Sequence, residues 1–199
     1  MDKMSPLDSN EPDTAAKTVA AIDIGANSLR MVIAEVLPDG QIEMLEQLQQ
    51  VARLGQDTFR RGRLDGDVMR AAAAILRDFR RILDLYDVQQ IRAVATSAVR
   101  EASNADTFLD RLFMATGVDV EVIDTSEESR LAVSAVRQAL DGVPDAVEGK
   151  ALIADVGGGS TLLTVLEDGE IVTSQGLQLG SIRLQEALGT GYESPERAT

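Results

Sequence analysis

The fold of this chain is decided by the stretch Ala154-Asp155-Val156-Gly157-Gly158-Gly159-Ser160-Thr161. Apolar runs lie on both sides of it, which predicts a strand, a glycine turn and a second strand. Three residues without a Cβ atom allow positive φ angles and a close approach of the backbone to a ligand. The N–H groups of such a turn, with the hydroxyls of Ser160 and Thr161, are typical of an anion-binding site. Asp155 stands where a carboxylate can hold Mg²⁺, usually through water. The plainer alternative is a glycine hairpin in which Asp155 only helps to form the turn.

The same pattern occurs twice in the chain. Residues 20–35 read AAIDIGANSLRMVIAE and residues 152–167 read LIADVGGGSTLLTVLE. The aligned pairs are Asp23 with Asp155, Gly25 with Gly157 and Ser28 with Ser160. An Asp-Gly turn follows each copy, at residues 39–40 and 168–169, and a further strand-like run follows each turn. The sequence therefore predicts a duplicated unit of strand, phosphate-type loop, strand, hairpin and strand.

Composition limits the chemistry that the chain can perform. The 199 residues, 44% of them hydrophobic, favour one large or two small domains with a buried core. Cysteine and histidine are both absent. Disulfides, thiolate metal sites and histidine-ligated zinc are thereby excluded, and a general base must be a carboxylate, lysine or tyrosine.

Charge and hydropathy bear on partners and location. The net charge of −14 argues against nucleic acid or an anionic membrane as a partner. No apolar run reaches transmembrane length. Residues 1–17 are polar, contain two prolines and have no apolar signal-peptide core, so we expect a disordered tail on a cytoplasmic protein.

Strand and helix patterns alternate along the chain, which predicts an α/β fold. Strands are expected at residues 19–24, 29–37, 41–51, 91–95 and 118–123. Residues 53–64 are expected to be a loop, and a long amphipathic helix is expected from Asp65. Asn104 and Thr125 are expected to cap two further helices. After a polar link at residues 141–149, the second copy has its strands and one helix at residues 181–188 but no more.

Four motifs occur in the order AIDIGANSLRMVI, TSAVREASN, SEESR and IADVGGGST. Together they resemble those of the exopolyphosphatase/guanosine pentaphosphatase family, which belongs to the actin-like superfamily. The resemblance implies ribonuclease-H-like (actin-like ATPase) domains with a mixed sheet and flanking helices. The first domain is predicted at residues 18–142 and the incomplete beginning of a second at residues 143–199. The resemblance also implies Mg²⁺-dependent hydrolysis of the terminal phosphate of inorganic polyphosphate or of guanosine pentaphosphate (pppGpp), and it suggests a homodimer.

Site residues follow from the same resemblance. The first phosphate loop would contain Asp23, Gly25, Asn27, Ser28 and Arg30. The second would contain Gly157, Gly158, Gly159 and Ser160, with Asp155 as a metal-site carboxylate and with Gly180 and Ser181 in a later turn near the cleft. Arg100 is expected to face a phosphate, and Glu128 to activate water.

Plainer roles stand beside these. Thr125-Ser126-Glu127-Glu128 matches a capping box, in which Glu128 would bind back to Thr125. Arg100 could be a surface residue paired with Glu101, Asn27 could merely accept a left-handed turn conformation, and Arg30 could be a solvated strand residue.

The chain departs from the family pattern where that pattern places a glutamate after GGGST, because Leu162 stands there. The change favours a second hypothesis, a catalytically weakened regulator that binds polyphosphate or nucleotide on the same scaffold. A third hypothesis is another actin-like ATPase or kinase, which tight ATP binding would indicate. Two further departures are Asp124-Thr125-Ser126, where a glycine is usual, and the mild change to Ala26, where serine is common.

Overall fold

A computed structural model describes residues 15–140 and 149–188 of the chain. The strands are β1 (Lys17–Ile24), β2 (Ser28–Val36), β3 (Ile42–Val51), β4 (Gln90–Ala95), β5 (Val120–Val122), β6 (Lys150–Val156), β7 (Thr161–Glu167) and β8 (Glu170–Leu177). The helices are α1 (Leu54–Arg61), α2 (Gly66–Leu85), α3 (Ser97–Arg100), α4 (Ala105–Thr116), α5 (Thr125–Ala139) and α6 (Ser181–Ala187). We refer to residues 15–140 as the first half and to residues 149–188 as the second half.

The first half contains a mixed five-stranded sheet in the order β3-β2-β1-β4-β5. Strand β1 is antiparallel to β2 and parallel to β4, and β5 continues the parallel part. This is the strand order of a ribonuclease-H-like domain, so the predicted α/β fold with a mixed sheet is confirmed. The second half contains an antiparallel sheet in the order β6-β7-β8, which repeats the β1-β2-β3 meander.

Alternation along β1 and β2 separates the core from the functional face. Ile22, Ile24 and Met31 are fully buried, in a core that the apolar faces of α2 and α4 complete. Because successive strand residues point to opposite faces, Asp23 and Arg30 lie on the other side of the sheet. They are also direct neighbours across the β1–β2 pair.

Two helices in the first half were not predicted. Residues 53–64 were expected to be a loop because of Gly55 and Gly62, but α1 occupies most of them. Gly62, with φ of +68°, ends the helix in the left-handed conformation that glycine favours. A Cβ at Gly55 would come within 3.0 Å of the Ala26 side chain, so this glycine permits close packing. The short α3 was also missed.

One predicted cap is wrong, and the other is right in position but makes no capping hydrogen bond. Asp124, not Thr125, is the N-cap of α5, and its carboxylate accepts the Glu127 N–H at 2.8 Å. Asn104 is the N-cap residue of α4, as predicted, but its side chain makes no cap hydrogen bond. Instead, its amide binds both the N–H and the C=O of Leu64 at 2.9 Å. The Asn104 side chain thus binds a residue 40 positions away, which the local pattern could not show.

Other predictions have mixed outcomes. The Asp168-Gly169 hairpin is present with both φ angles positive, as a type I′ turn requires. Strand β1 begins at Lys17, the last residue of the predicted tail, and the rest of that tail lies largely outside the described residues. Residues 141–148 of the predicted link, the domain boundary at 142/143 and the polar C-terminal end also lie outside the described residues. Among the described helices, none has both the length and the apolar character needed to cross a membrane.

Replacing Phe79 by alanine tests the core between α2 and the sheet. Phe79 is 0% exposed, so F79A should lower the free energy of unfolding by about 3–5 kcal/mol. Leu85, on the same helix, is 83% exposed, and L85A should change it by no more than about 0.5 kcal/mol. Urea unfolding followed by circular dichroism measures both, and equal effects would contradict the assigned core.

Candidate active site

The two phosphate loops close with the same hydrogen bond. The Gly25 N–H donates to the Ser28 carbonyl at 3.1 Å, and the Gly157 N–H donates to the Ser160 carbonyl at 2.9 Å. The internal repeat is therefore a repeat of geometry as well as of sequence. Neither loop uses positive φ angles, contrary to the expectation for three successive glycines.

Helix N-termini hold the carbonyl groups of both loops. In the first loop, the Gly55 N–H of α1 donates to the Ala26 carbonyl at 2.8 Å. In the second loop, the Ser181 and Ile182 N–H groups of α6 donate to the carbonyls of Gly157 and Gly158 at 3.0 and 2.9 Å. Helices α1 and α6 thus brace the two loops in the same way.

This bracing sets the direction of the loop amides. In a trans peptide the C=O and the following N–H point in opposite directions. The N–H groups of Asn27, Gly158 and Gly159 therefore point away from the bracing helices. Within the described parts of the chain they have no hydrogen-bond acceptor. They are donors available to an anion, as in other backbone concavities.

A cavity of about 520 Å³ brings the predicted site residues together. Of the predicted catalytic, phosphate-binding and metal-site residues, all except Arg100 line it, namely Asp23, Gly25, Asn27, Ser28, Arg30, Glu128, Asp155, Gly157, Gly158, Gly159 and Ser160. Ser181 lines it too. Gly180 lies behind the second loop, where a Cβ would overlap the Gly158 backbone.

Two loop hydroxyls are already engaged. Ser28 is buried, and its Oγ accepts a hydrogen bond from Gln49 Nε2 at 3.2 Å. Thr161 Oγ1 donates to the Leu179 carbonyl, so it is not free to bind an anion as the sequence suggested.

Arg100 binds the predicted base. Its Nη1 and Nη2 both donate to Glu128 Oε2 at 3.2 Å, and Nη1 also donates to the Ile123 carbonyl at 2.7 Å. Arg100 therefore holds Glu128 in place and is not paired with Glu101. The capping-box role of Glu128 is wrong, because its carboxylate faces Arg100 and the cavity. In the described part of the structure, Glu128 Oε1 has no hydrogen-bond partner.

Two carboxyl groups in the cavity resist ionisation. Burial raises the pKa of Asp23, Arg30 opposes the rise, and the charge of Asp155 adds to it. Burial also raises the pKa of Glu128, against the attraction of Arg100, and the charges of Asp155 and Asp23 add to that rise. Raised pKa values in a cleft are typical of functional carboxylates.

Leu162 lies directly opposite Asp155 in the β6–β7 pair and is 3% exposed. Opposite residues of an antiparallel pair share a face of the sheet, so a glutamate here would stand beside Asp155. The chain has buried apolar volume at that point instead.

Sequence reasoning missed three residues beside the loops. Ser97 of α3 lines the cavity. Phe59 and Ser97 lie so close to Gly159 that any Cβ on that glycine would overlap them. Arg183 of α6 binds the Gly159 carbonyl at 2.7 Å. The repeat offered a signal for α1. A helix was expected after the second copy, at residues 181–188, and α1 occupies the equivalent place after the first copy.

The Ppx/GppA phosphatase family model matches residues 32–192. The chain belongs to this family. It is 34% identical over 182 residues to "Exopolyphosphatase 2" of Mycobacterium tuberculosis, covering 86% of this chain and 55% of the relative. It is 29% identical over 169 residues to the "Guanosine-5'-triphosphate,3'-diphosphate pyrophosphatase" of Aliivibrio fischeri, covering 85% of this chain and 33% of that protein.

The solved structure of the Aquifex aeolicus Ppx/GppA family member matches the fold. The TM-score is 0.72 at 32% identity, and the match covers 86% of this chain and 54% of that one. The chain spans about half the length of the exopolyphosphatase that it matches.

Replacing Glu128 and replacing its neighbour Glu127 should change the pH dependence of folding stability in opposite directions. Because the pKa of Glu128 is raised in the fold, its ionisation destabilises the folded state as pH rises above the ordinary value of 4.5. Glu128→Gln should therefore gain stability relative to the unmutated protein between about pH 3 and pH 7.

Glu127→Gln is the matched control. Hydrogen bonds from Arg130 and Arg92 lower the pKa of Glu127 to about 2, so its carboxylate stabilises the fold above pH 4.5 and loses this effect as pH falls toward 2. E127Q should lose relative stability over the same rise in pH. Urea unfolding at several pH values measures both, and slopes of equal sign would contradict the assigned environments.

Proposed function

We propose that this family member hydrolyses the terminal phosphate of inorganic polyphosphate or of pppGpp. One observation carries the proposal. Glu128 lines a cavity formed by two loops with free amides, and its Oε1 has no hydrogen-bond partner among residues 15–140 and 149–188. The names of the two relatives above support both substrates. Both substrates present the same terminal phosphate group.

The two loops would bind the anion. The N–H groups of Asn27, Gly158 and Gly159 supply donors, and Arg30 adds a cation at the cavity wall. Phosphoryl transfer depends mainly on positioning and charge neutralisation, which such donors supply.

The carboxylates of the cavity fit a magnesium ion. Asp23, Glu128 and Asp155 line the cavity, and among the described residues only one cation, Arg30, lines it with them, so a polyphosphate would meet net negative charge. No group of three potential ligands is close enough to form a complete metal site in the described residues. Mg²⁺ needs only one or two carboxylates, because water and phosphate oxygens complete its shell. Asp155, with Asp23 nearby, would hold the ion, which would neutralise charge on the phosphates.

Glu128 would activate the attacking water. Its free Oε1 would take a proton from water while the water oxygen forms a bond to the terminal phosphorus. The bond to the bridging oxygen breaks, and the shortened phosphate chain leaves with the electron pair. Arg100 fixes the carboxylate through Oε2, so Oε1 stays directed at the cavity. A direct bond from Arg100 to a phosphate remains a prediction, as do the cytoplasmic location and the homodimer.

Phosphate release from long-chain polyphosphate with Mg²⁺, measured on the complete gene product, tests the proposal. Glu128→Gln keeps the size of the side chain but removes the base, so turnover should fall by about 10²- to 10⁴-fold. Glu127→Gln, outside the cavity, should keep turnover within about threefold. A folded unmutated protein that releases phosphate from neither polyphosphate nor pppGpp would contradict the proposal.

The buried Leu162 beside Asp155 favours a second candidate function, a weakened regulator that binds the same ligands. Leu162→Glu separates the two, with Leu162→Gln as a control for the tolerance of a polar group. The phosphatase proposal expects turnover to stay within about threefold in L162E. A rise of about tenfold or more with unchanged polyphosphate binding would support the regulator instead.

A further inference from the structure

Arg183 of α6 makes one contact within the second half of the chain and two contacts with the first half. Its Nε donates to the Gly159 carbonyl at 2.7 Å, and its Nη2 donates to Glu101 Oε1 at 2.6 Å. The guanidinium carbon lies 4.0 Å from the centroid of the Phe59 ring. Its side chain is only 16% exposed. The partners belong to the second phosphate loop, to the end of α3 and to α1.

The bond to Gly159 completes the bracing of the second loop. The backbone of α6 binds the carbonyls of Gly157 and Gly158, and the Arg183 side chain binds the third carbonyl in the row. By trans-peptide geometry, the N–H of Ser160 is then directed away from α6, as are those of the two preceding residues. The directions of all three N–H groups therefore depend on α6 and on the Arg183 side chain.

The bond to Glu101 links this loop to the predicted base. Arg100 and Glu101 are adjacent at the end of α3, where Arg100 holds Glu128 and Glu101 holds Arg183. A planar guanidinium can donate to two acceptors while it stacks on a ring, and a lysine cannot do all three. The end of α3 therefore holds Glu128 of the first half directly and the Gly159 loop of the second half through Arg183.

We propose that Arg183 is a positioning residue, which fixes the second phosphate loop against the first half through Phe59 and Glu101. Its contribution to turnover rests on the proposed function, whereas its effect on the loop and on the two halves does not. Turnover and the distance between the two halves are therefore measured separately.

The first arm measures the distance between the halves. Since the chain has no cysteine, Arg77→Cys on α2 and Thr173→Cys on β8 place two spin labels without background. Arg183→Met should broaden the distance distribution measured by pulsed electron resonance. Arg137→Met is the matched control, because Arg137 also joins the halves, through Glu170 at 3.5 Å, but lies outside the cavity. A distribution in R183M as narrow as that of the unmutated protein would overturn the proposal.

The second arm measures turnover. R183M should lower kcat by about tenfold or more with KM changed less than about threefold. The loop would keep the same number of N–H donors, but they would no longer be aligned with the phosphate. R183K should recover part of the loss, and R137M should match the unmutated protein. Equal kcat in R183M and R137M would overturn the positioning role.

Two further outcomes separate the two proposals. If R183M does not fold, Glu101→Ala removes only one of the three contacts and should give a smaller broadening of the distances. Unbroadened distances in E101A would then overturn the proposal. An unmutated protein without turnover would contradict the proposed function, and the distance arm would still decide on Arg183.

Discussion

Everything in the cavity depends on the geometry of the peptide group, which directs its C=O and the following N–H to opposite sides. Helix α1 binds the Ala26 carbonyl of the first loop, and α6 binds the Gly157 and Gly158 carbonyls of the second. The amides on the other side then remain for an anion. A chain with a net charge of −14 can in this way build an anion site without many cations, because the donors are uncharged backbone groups.

The sheet and most of the site could be predicted, because both depend on short-range patterns. Apolar alternation located the strands, and the duplicated Asp-x-Gly pattern located both loops. Arg100 and Glu128 came from resemblance alone, and the structure adds that they bind each other. No local pattern could show this pairing, since the residues are 28 positions apart.

Helices α1 and α3 could not be predicted, because contacts distant in sequence override local preference there. Gly55 weakens a helix in isolation, but its N–H binds the Ala26 carbonyl and its small size lets α1 approach the first loop. The three glycines of the second loop were also misjudged. Gly158 and Gly159 leave room for Ala26, Ser97 and Phe59 rather than supplying unusual φ angles.

The close fit of Gly159 against α1 and α3 also bears on how the chain folds. The β6-β7-β8 meander pairs neighbours in sequence and can form by local contacts. Its glycine loop, by contrast, takes its position from side chains synthesised much earlier. Because the ribosome makes the first half first, that surface is complete when Gly159 emerges. We therefore expect the first half to act as a template and the cavity to be the last feature of this chain to form.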